Sequence, residues 1–296
     1  EMQWSLVGSE MCIRDRLQLK SVRMFFAMLS KASPGLAAQL GERVFIRPRR
    51  FERPSHEQAC LQNAQHFTVD TTFGKIAAWT WGKGPVVLLV HGWEGRGSQM
   101  GAFVEPLVAA GFRVITFDGP AHGKSSGSTT TLLRYATVVQ ELIDFLGPLH
   151  AVIAHSFGGP VTSLLLKSGL KLQRVVYIAS PNDAINITKQ FASIIGLSEH
   201  AVGVMRENIR RRYKDEWLAY ANSWEELAQS KFAPDFQTPL LIFHDENDLD
   251  VPISESRDIA AAWPRAELAI TRGLGHRRIL KDGHVVERAV RFISNT

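Results

Sequence analysis

Short, continuous apolar runs alternate with stretches of helical period over most of the chain. Pro85–Val90 holds no polar side chain, the pattern of a strand buried on both faces. Phe67–Thr72 and Lys75–Trp81 read as two strands joined at Gly74. Further strands are expected at Arg113–Asp118, around Val152 and Ile153, at Arg174–Ala179, at Pro239–His244 and from Ala266. Helical spacing fills the intervals. Gln99–Ala110 is stopped by Gly111, Thr131–Leu146 ends at Gly147, and Val161 with Leu164–Leu166 opens a third helix. Another begins at Ser254, and a last one runs through Val290 and Phe292. Strands alternating with helices predict an α/β domain, a parallel sheet covered by helices on both faces.

Two regions break the rhythm. Val22, Phe25, Phe26, Leu29, Leu36, Leu40 and Val44 predict one or two amphipathic helices broken near Pro34-Gly35, packed on the main domain, with attachment to a membrane surface as the alternative. From about Asn182 to Phe236, Phe191, Ile194, Val204, Met205, Ile209, Trp217 and Leu227 sit at helical spacings between two strands, as in a cap over the strand ends. Ser55 with Gln58, and Ser223 with Glu226, have the spacing of capping boxes. Pro48–Pro54 is basic and extended. The first sixteen residues show neither period, and Met11–Arg16 reads as a translated sequencing adapter, so residues 1–16 are set aside as non-native. The expected division is 17–65 as a helical extension, 66–181 and 237–296 as the two parts of the core, and 182–236 as the cap.

Composition narrows the class. In 296 residues, 45% are hydrophobic and 21% charged, ordinary for a globular α/β protein. The net charge of +5 is mild, and its local excess at Arg47, Arg49, Arg50, Arg53 and Arg210–Arg212 reads as solvated faces, not as a nucleic-acid site. Cys12 and Cys60 form no metal-ligand spacing and no disulfide framework, which fits the reducing cytoplasm. No apolar run approaches the ~20 residues needed to cross a bilayer.

The chemistry gathers around Leu149–Gly159, L-H-A-V-I-A-H-S-F-G-G. Ser156 stands at a sharp strand-to-helix turn with small residues two positions to either side, Ala154 and Gly158. A serine hydroxyl needs a base. His276, in Gly273-Leu274-Gly275-His276 just past the last strand, is placed to reach it; His155 points away on the turn, and His91 and His122 brace loops. The base needs a carboxylate to fix its tautomer. The loop H-D-E-N-D-L-D-V-P offers Asp245, Glu246, Asp248 and Asp250; Asp248 is taken, with Asp250 its nearest rival and Asp183 a remoter substitute. Oxyanion donors are expected from the backbone N–H of Phe157 and of Trp93.

These segments together resemble the α/β-hydrolase superfamily, from about Phe67 to Ile293. The resemblance rests on L-L-V-H-G-W at 88–93, F-D-G-P-A-H-G-K-S at 117–125, A-H-S-F-G-G at 154–159, D-L-D-V-P at 248–252 and G-L-G-H at 273–276. It departs from the family pattern at Ala154 and Asp245, where glycines are usual. It implies a mostly parallel eight-stranded sheet, a helical cap after the sixth strand and a cofactor-independent site at the strand C-termini. It also implies that Asp118 and His122-Gly123 buttress the oxyanion loop at His91-Gly92. The expected activity is serine esterase chemistry on a small-molecule ester with short to medium apolar groups. The alternatives are an aminopeptidase-like amidase or carbon–carbon bond hydrolase on the same triad, and a non-catalytic ligand receptor.

Overall fold

The computed structural model describes residues 13–295, with side chains from residue 19 onward. The reading of 1–16 as non-native therefore falls largely outside the described residues. Helices α1 (Ile13–Ala32) and α2 (Pro34–Phe45) meet at the expected break, where Pro34 opens α2 at a position that needs no backbone N–H. After them come α3 (Ser55–Gln62), β1 (Gln65–Thr71), β2 (Gly74–Trp81) and β3 (Val86–Val90). A 3₁₀ turn at Gly97–Phe103 leads into α4 (Val104–Ala109) and β4 (Arg113–Phe117). A single helix was expected from Gln99. Pro106 cannot donate to the carbonyl four residues back, so the α-helical ladder restarts at Val104.

The chain continues through α5 (Leu132–Leu146), β5 (Leu149–His155), α6 (Gly158–Lys167) and β6 (Arg174–Ile178). Next are α7 (Ala184–Ile195), α8 (Glu199–Arg212), α9 (Lys214–Tyr220) and α10 (Gln229–Phe232). The last elements are β7 (Leu240–Asp245), α11 (Ile253–Ala262), β8 (Ala266–Thr271), α12 (Gly275–Arg278) and α13 (Gly283–Ser294).

The eight strands form one sheet in the order β1-β2-β4-β3-β5-β6-β7-β8. β2 runs antiparallel to β1 and β4, and every pair from β4 onward is parallel. Both faces of the central strands are covered, which is why their sequences read as unbroken apolar runs. Val87 and Leu89 pack with Met100, Phe103, Leu107 and Val285 on one face, and the alternate residues Leu88 and Val90 are as deeply buried.

The chain divides into two compact units. One comprises Pro48–Asn182 and Gln229–Thr296, and holds the whole sheet. The other comprises the described residues through Arg47 with Asp183–Ala228. These boundaries differ from the expected ones. The apolar faces of α1 and α2, expected on the main domain, are buried against α7 and α8: Phe26, Ala37 and Ala38 join Leu197, Ala201, Val202 and Met205, and Phe45 stacks edge-on against Phe191. Arg212 reaches the buried Glu42 at 2.7 Å while its own side chain stays exposed, as expected of a solvated face. Residues 48–65 belong to the sheet unit, and the stretch from Gln229 rejoins it.

Neither expected capping box forms. Pro54 precedes α3 and Gln58 bonds to the Arg53 carbonyl, while the Glu226 carboxylate takes the N–H of Asn222. What fixes α3 is Glu57. Its buried carboxylate receives Nε and Nη2 of the equally buried Arg96 at 2.6 and 2.7 Å and the Ser98 hydroxyl at 2.6 Å. Removing one partner strands the other charge in a dry interior. Glu57→Ala should therefore lower unfolding free energy by about 3–5 kcal/mol in chemical denaturation, and a loss below about 1 kcal/mol would contradict this.

Candidate active site

β5 delivers Ser156 to the turn into α6 with φ of +50°, a left-handed conformation that a residue with a Cβ adopts only under constraint. Its N–H donates to the Ile178 carbonyl at 2.8 Å, and Gly159 N–H returns to the Ser156 carbonyl at 2.9 Å. Crowding explains the small neighbours. A Cβ at Gly158 would lie 2.6 Å from the Val90 carbonyl oxygen, and one at Gly92 would lie 2.8 Å from the Ser156 Cβ. Ala154 sits fully buried in β5, so the methyl that replaces the usual glycine hydrogen is accommodated.

His276 lies on α12, a single helical turn where the sequence predicted a loop. Its Nδ1–H donates to Asp248 Oδ2 at 2.7 Å, which leaves Nε2 as the ring's acceptor. Asp248 is buried, and its Oδ1 takes the N–H groups of Asp250 and Val251 at 2.8 and 3.0 Å. Burial acts to raise the Asp248 carboxyl, but the hydrogen bond and charge of His276, with those two N–H groups, hold it below the usual carboxylate range. Asp245, by contrast, is a loop brace: its oxygens take Leu274 N–H at 2.9 Å, the Thr271 hydroxyl at 2.8 Å and Asn247 N–H at 3.0 Å. Asp183 caps α7 through Ile185 N–H. The structure thus brings Asp248, and neither Asp245 nor Asp183, onto His276.

His155 ties this pair to the elbow. Its Nε2–H donates to the His276 carbonyl at 2.9 Å, and the two rings lie 4.8 Å apart. Among the described residues, the Ser156 hydroxyl and the Phe157 N–H take part in no hydrogen bond. The Trp93 ring packs edge-on against Phe157 at 5.3 Å and against His122 at 5.5 Å. His91 accepts Gly119 N–H at Nε2 and donates from Nδ1 to the Gly92 carbonyl, at 2.8 and 2.7 Å. His122 accepts Glu94 N–H at Nε2 and donates to the Pro120 carbonyl. Burial drives all three rings toward the neutral form: His91 well below its ordinary value, His122 to about 4 and His155 to about 3.

The arginines of Pro48–Pro54 are the functional neighbours that the sequence reading missed, having taken them as solvated. Arg49 grips the Glu94 carboxylate with Nε and Nη2 at 2.9 and 2.8 Å, and Glu94 (φ +54°) directly follows Trp93. Arg50 donates to the carbonyls of Ala121, Gly123, Ser125 and Gly127. Arg53 pairs with the buried Asp118, whose oxygens also take Gly97 and Lys124 N–H. The available signal was Asp118 itself, because a carboxylate in that buried position requires a cation.

The sequence model of the alpha/beta hydrolase family matches residues 87–289. A non-heme chloroperoxidase of Kitasatospora aureofaciens is 24% identical over 66% of this chain and 86% of its own. A 2-hydroxy-6-oxononadienedioate/2-hydroxy-6-oxononatrienedioate hydrolase of Pseudomonas putida is 24% identical over 64% of this chain and 80% of its own. A Pyrococcus furiosus esterase shares the fold at a TM-score of 0.61 and 18% identity, across 84% of this chain and 96% of that one.

The buried histidines give the fold an acid limit. Below about pH 6.5 the unfolded chain protonates these rings. The folded chain does so only near pH 4 at His122 and near pH 3 at His155. The unfolded state therefore binds more protons in that window, and stability falls with pH. The depressed Asp245 and Asp248 add a further loss below the ordinary carboxylate range. Denaturant midpoints should drop from pH 7 to pH 5; a flat profile would contradict the neutral assignment.

Proposed function

This chain is a hydrolase of the α/β hydrolase family, and on that premise we propose that it cleaves carboxylic esters through a serine acyl-enzyme. The observation that carries the reading is Ser156 held left-handed at the strand-to-helix turn, while its neighbour His155 bonds the carbonyl of a histidine whose own Nδ1–H is bound to a buried aspartate. In this reading His276 Nε2 takes the Ser156 proton as the hydroxyl attacks the ester carbonyl. The Ser156–His276 hydrogen bond that the step needs forms in the substrate complex. Asp248 fixes the tautomer and stabilises the imidazolium without taking its proton. The N–H groups of Phe157 and Trp93 hold the oxyanion; Phe157 opens α6, where the helix dipole favours negative charge. His276 then protonates the leaving alcohol and activates the water that releases the acid. The apolar groups of the substrate are short to medium in length.

A second reading, hydrolysis of a carbon–carbon bond by the same residues, draws on the Pseudomonas putida relative. A panel of p-nitrophenyl esters, amides and β-diketones separates the two. Ester turnover should dominate and fall by about 10⁴-fold or more in Ser156→Ala. Retention of most ester hydrolysis in that variant would overturn the mechanism, and faster diketone cleavage would favour the second reading. Gly92→Ala tests the oxyanion loop separately. Its new methyl would meet the Ser156 Cβ, so kcat should fall by about 10²-fold with folding intact by circular dichroism, and unchanged kcat would remove the loop from the mechanism.

A further inference from the structure

The helix α1 exposes an apolar face whose flanks carry one sign of charge. Met24, Phe25 and Met28 are 63%, 53% and 66% exposed, although Phe26 and Ser30 on the adjoining face are buried. Met24 and Met28 are four residues apart and Phe25 three from Met28, so the three form one contiguous patch. Lys20 precedes Met24 by four residues and Lys31 follows Met28 by three, which puts a cation at each end of the patch. Arg23 and, on α2, Arg43 are exposed as well. The only carboxylate from residue 19 to Arg47 is Glu42, which is buried and paired with Arg212.

We propose that this face of α1 docks the protein on an anionic lipid surface, with Met24, Phe25 and Met28 entering the headgroup–acyl boundary and Lys20 and Lys31 meeting lipid phosphates. The pattern matches the physics of interfacial helices: an apolar stripe for the acyl region and a basic margin that follows the negative surface potential. A second copy of the chain is the weaker fit. A two-fold contact sets the same patch against itself, which would bring the cations together with no carboxylate between them. The cations alone would suit a nucleic-acid backbone, but three exposed apolar side chains among them would not. Among the described residues no helix is long and apolar enough to cross a membrane, so the contact is peripheral. This inference stands independently of the ester-cleaving reading.

The test is flotation of the full chain with vesicles of phosphatidylcholine alone and of phosphatidylcholine with about one quarter phosphatidylglycerol. The protein should float with the anionic vesicles, weakly with the neutral ones, and less in high salt. Lys20→Gln with Lys31→Gln should weaken anionic partitioning by about 30-fold, at ~1 kcal/mol per charge. Met24→Ser, Phe25→Ser and Met28→Ser together should weaken it by at least about 10-fold. All five positions are exposed, so thermal melting should be unchanged and will report any misfolding. Absence of flotation by the wild type, or flotation by the triple serine variant equal to wild type, would overturn the proposal. So would a wild-type dimer in light scattering that the triple variant converts to monomer.

Discussion

A left-handed residue with a side chain, wedged where a parallel strand becomes a helix, is the constraint around which the sheet unit is arranged. Such a conformation costs about 1–3 kcal/mol and survives only when its surroundings over-determine it. Here they do. The Ser156 N–H is taken by β6, its carbonyl is taken by Gly159, and three glycines clear the space. Gly92 lets the loop after β3 lie against the serine, Gly158 lets α6 pass the end of β3, and Gly159 lets it pass Ser180. Each absence of a Cβ is explained by a different neighbour. The turn is therefore a property of the packed layer and not of the pentapeptide.

The loops on the far side of that turn are held by a segment that the family match, beginning at residue 87, does not include. Three arginines of Pro48–Pro54 act in three ways. Arg49 presents its fork to one carboxylate, Arg50 spreads its donors over four loop carbonyls, and Arg53 neutralises a buried aspartate while lying over the Trp79 ring. Planar, permanently charged guanidinium suits all three tasks, whereas an ammonium would serve only the last. The chain at 48–54 thus completes a scaffold whose other members lie at 94–127.

Much of this was legible in order along the chain. The buried strands announced themselves because both faces of each are covered, so no polar alternation interrupts them. Asp248 could be chosen over Asp245 only by its distance along a turning loop, and the hydrogen bonds of Asp245 explain why a second carboxylate stands there at all: it ties Thr271 and Leu274 into the turn that carries His276. What local patterns could not reveal were partners far away in sequence. Arg49 and Glu94 are 45 residues apart, Arg53 and Asp118 65, and a charge run looks solvated until its carboxylates are located. The capping boxes failed for a related reason. Gln58 and Glu226 took backbone partners beyond the three-residue cap spacing, the carbonyl of Arg53 and the N–H of Asn222, and α3 is secured by a buried ion pair instead of a cap.

The histidines near the elbow differ by where their ring nitrogens are spent. His91 commits one nitrogen to Gly119 and the other to Gly92; His122 commits its pair to Glu94 and Pro120. A ring with both nitrogens engaged in a dry setting can neither accept a proton from a hydroxyl nor deliver one without breaking a bond that holds a loop. His155 has its Nε2–H on a carbonyl and is driven to about 3 by burial and by its neighbour His276, so it is an uncharged spacer at any ordinary pH. His276 is only part-buried, and its one hydrogen bond among the described residues that uses a ring nitrogen runs from Nδ1 to a carboxylate. A proton arriving at Nε2 would complete an imidazolium already facing its counter-ion. The assignment of His276 as the proposed base thus follows from hydrogen-bond inventory as well as from sequence order, and it would hold even if the glycines around it had suggested nothing.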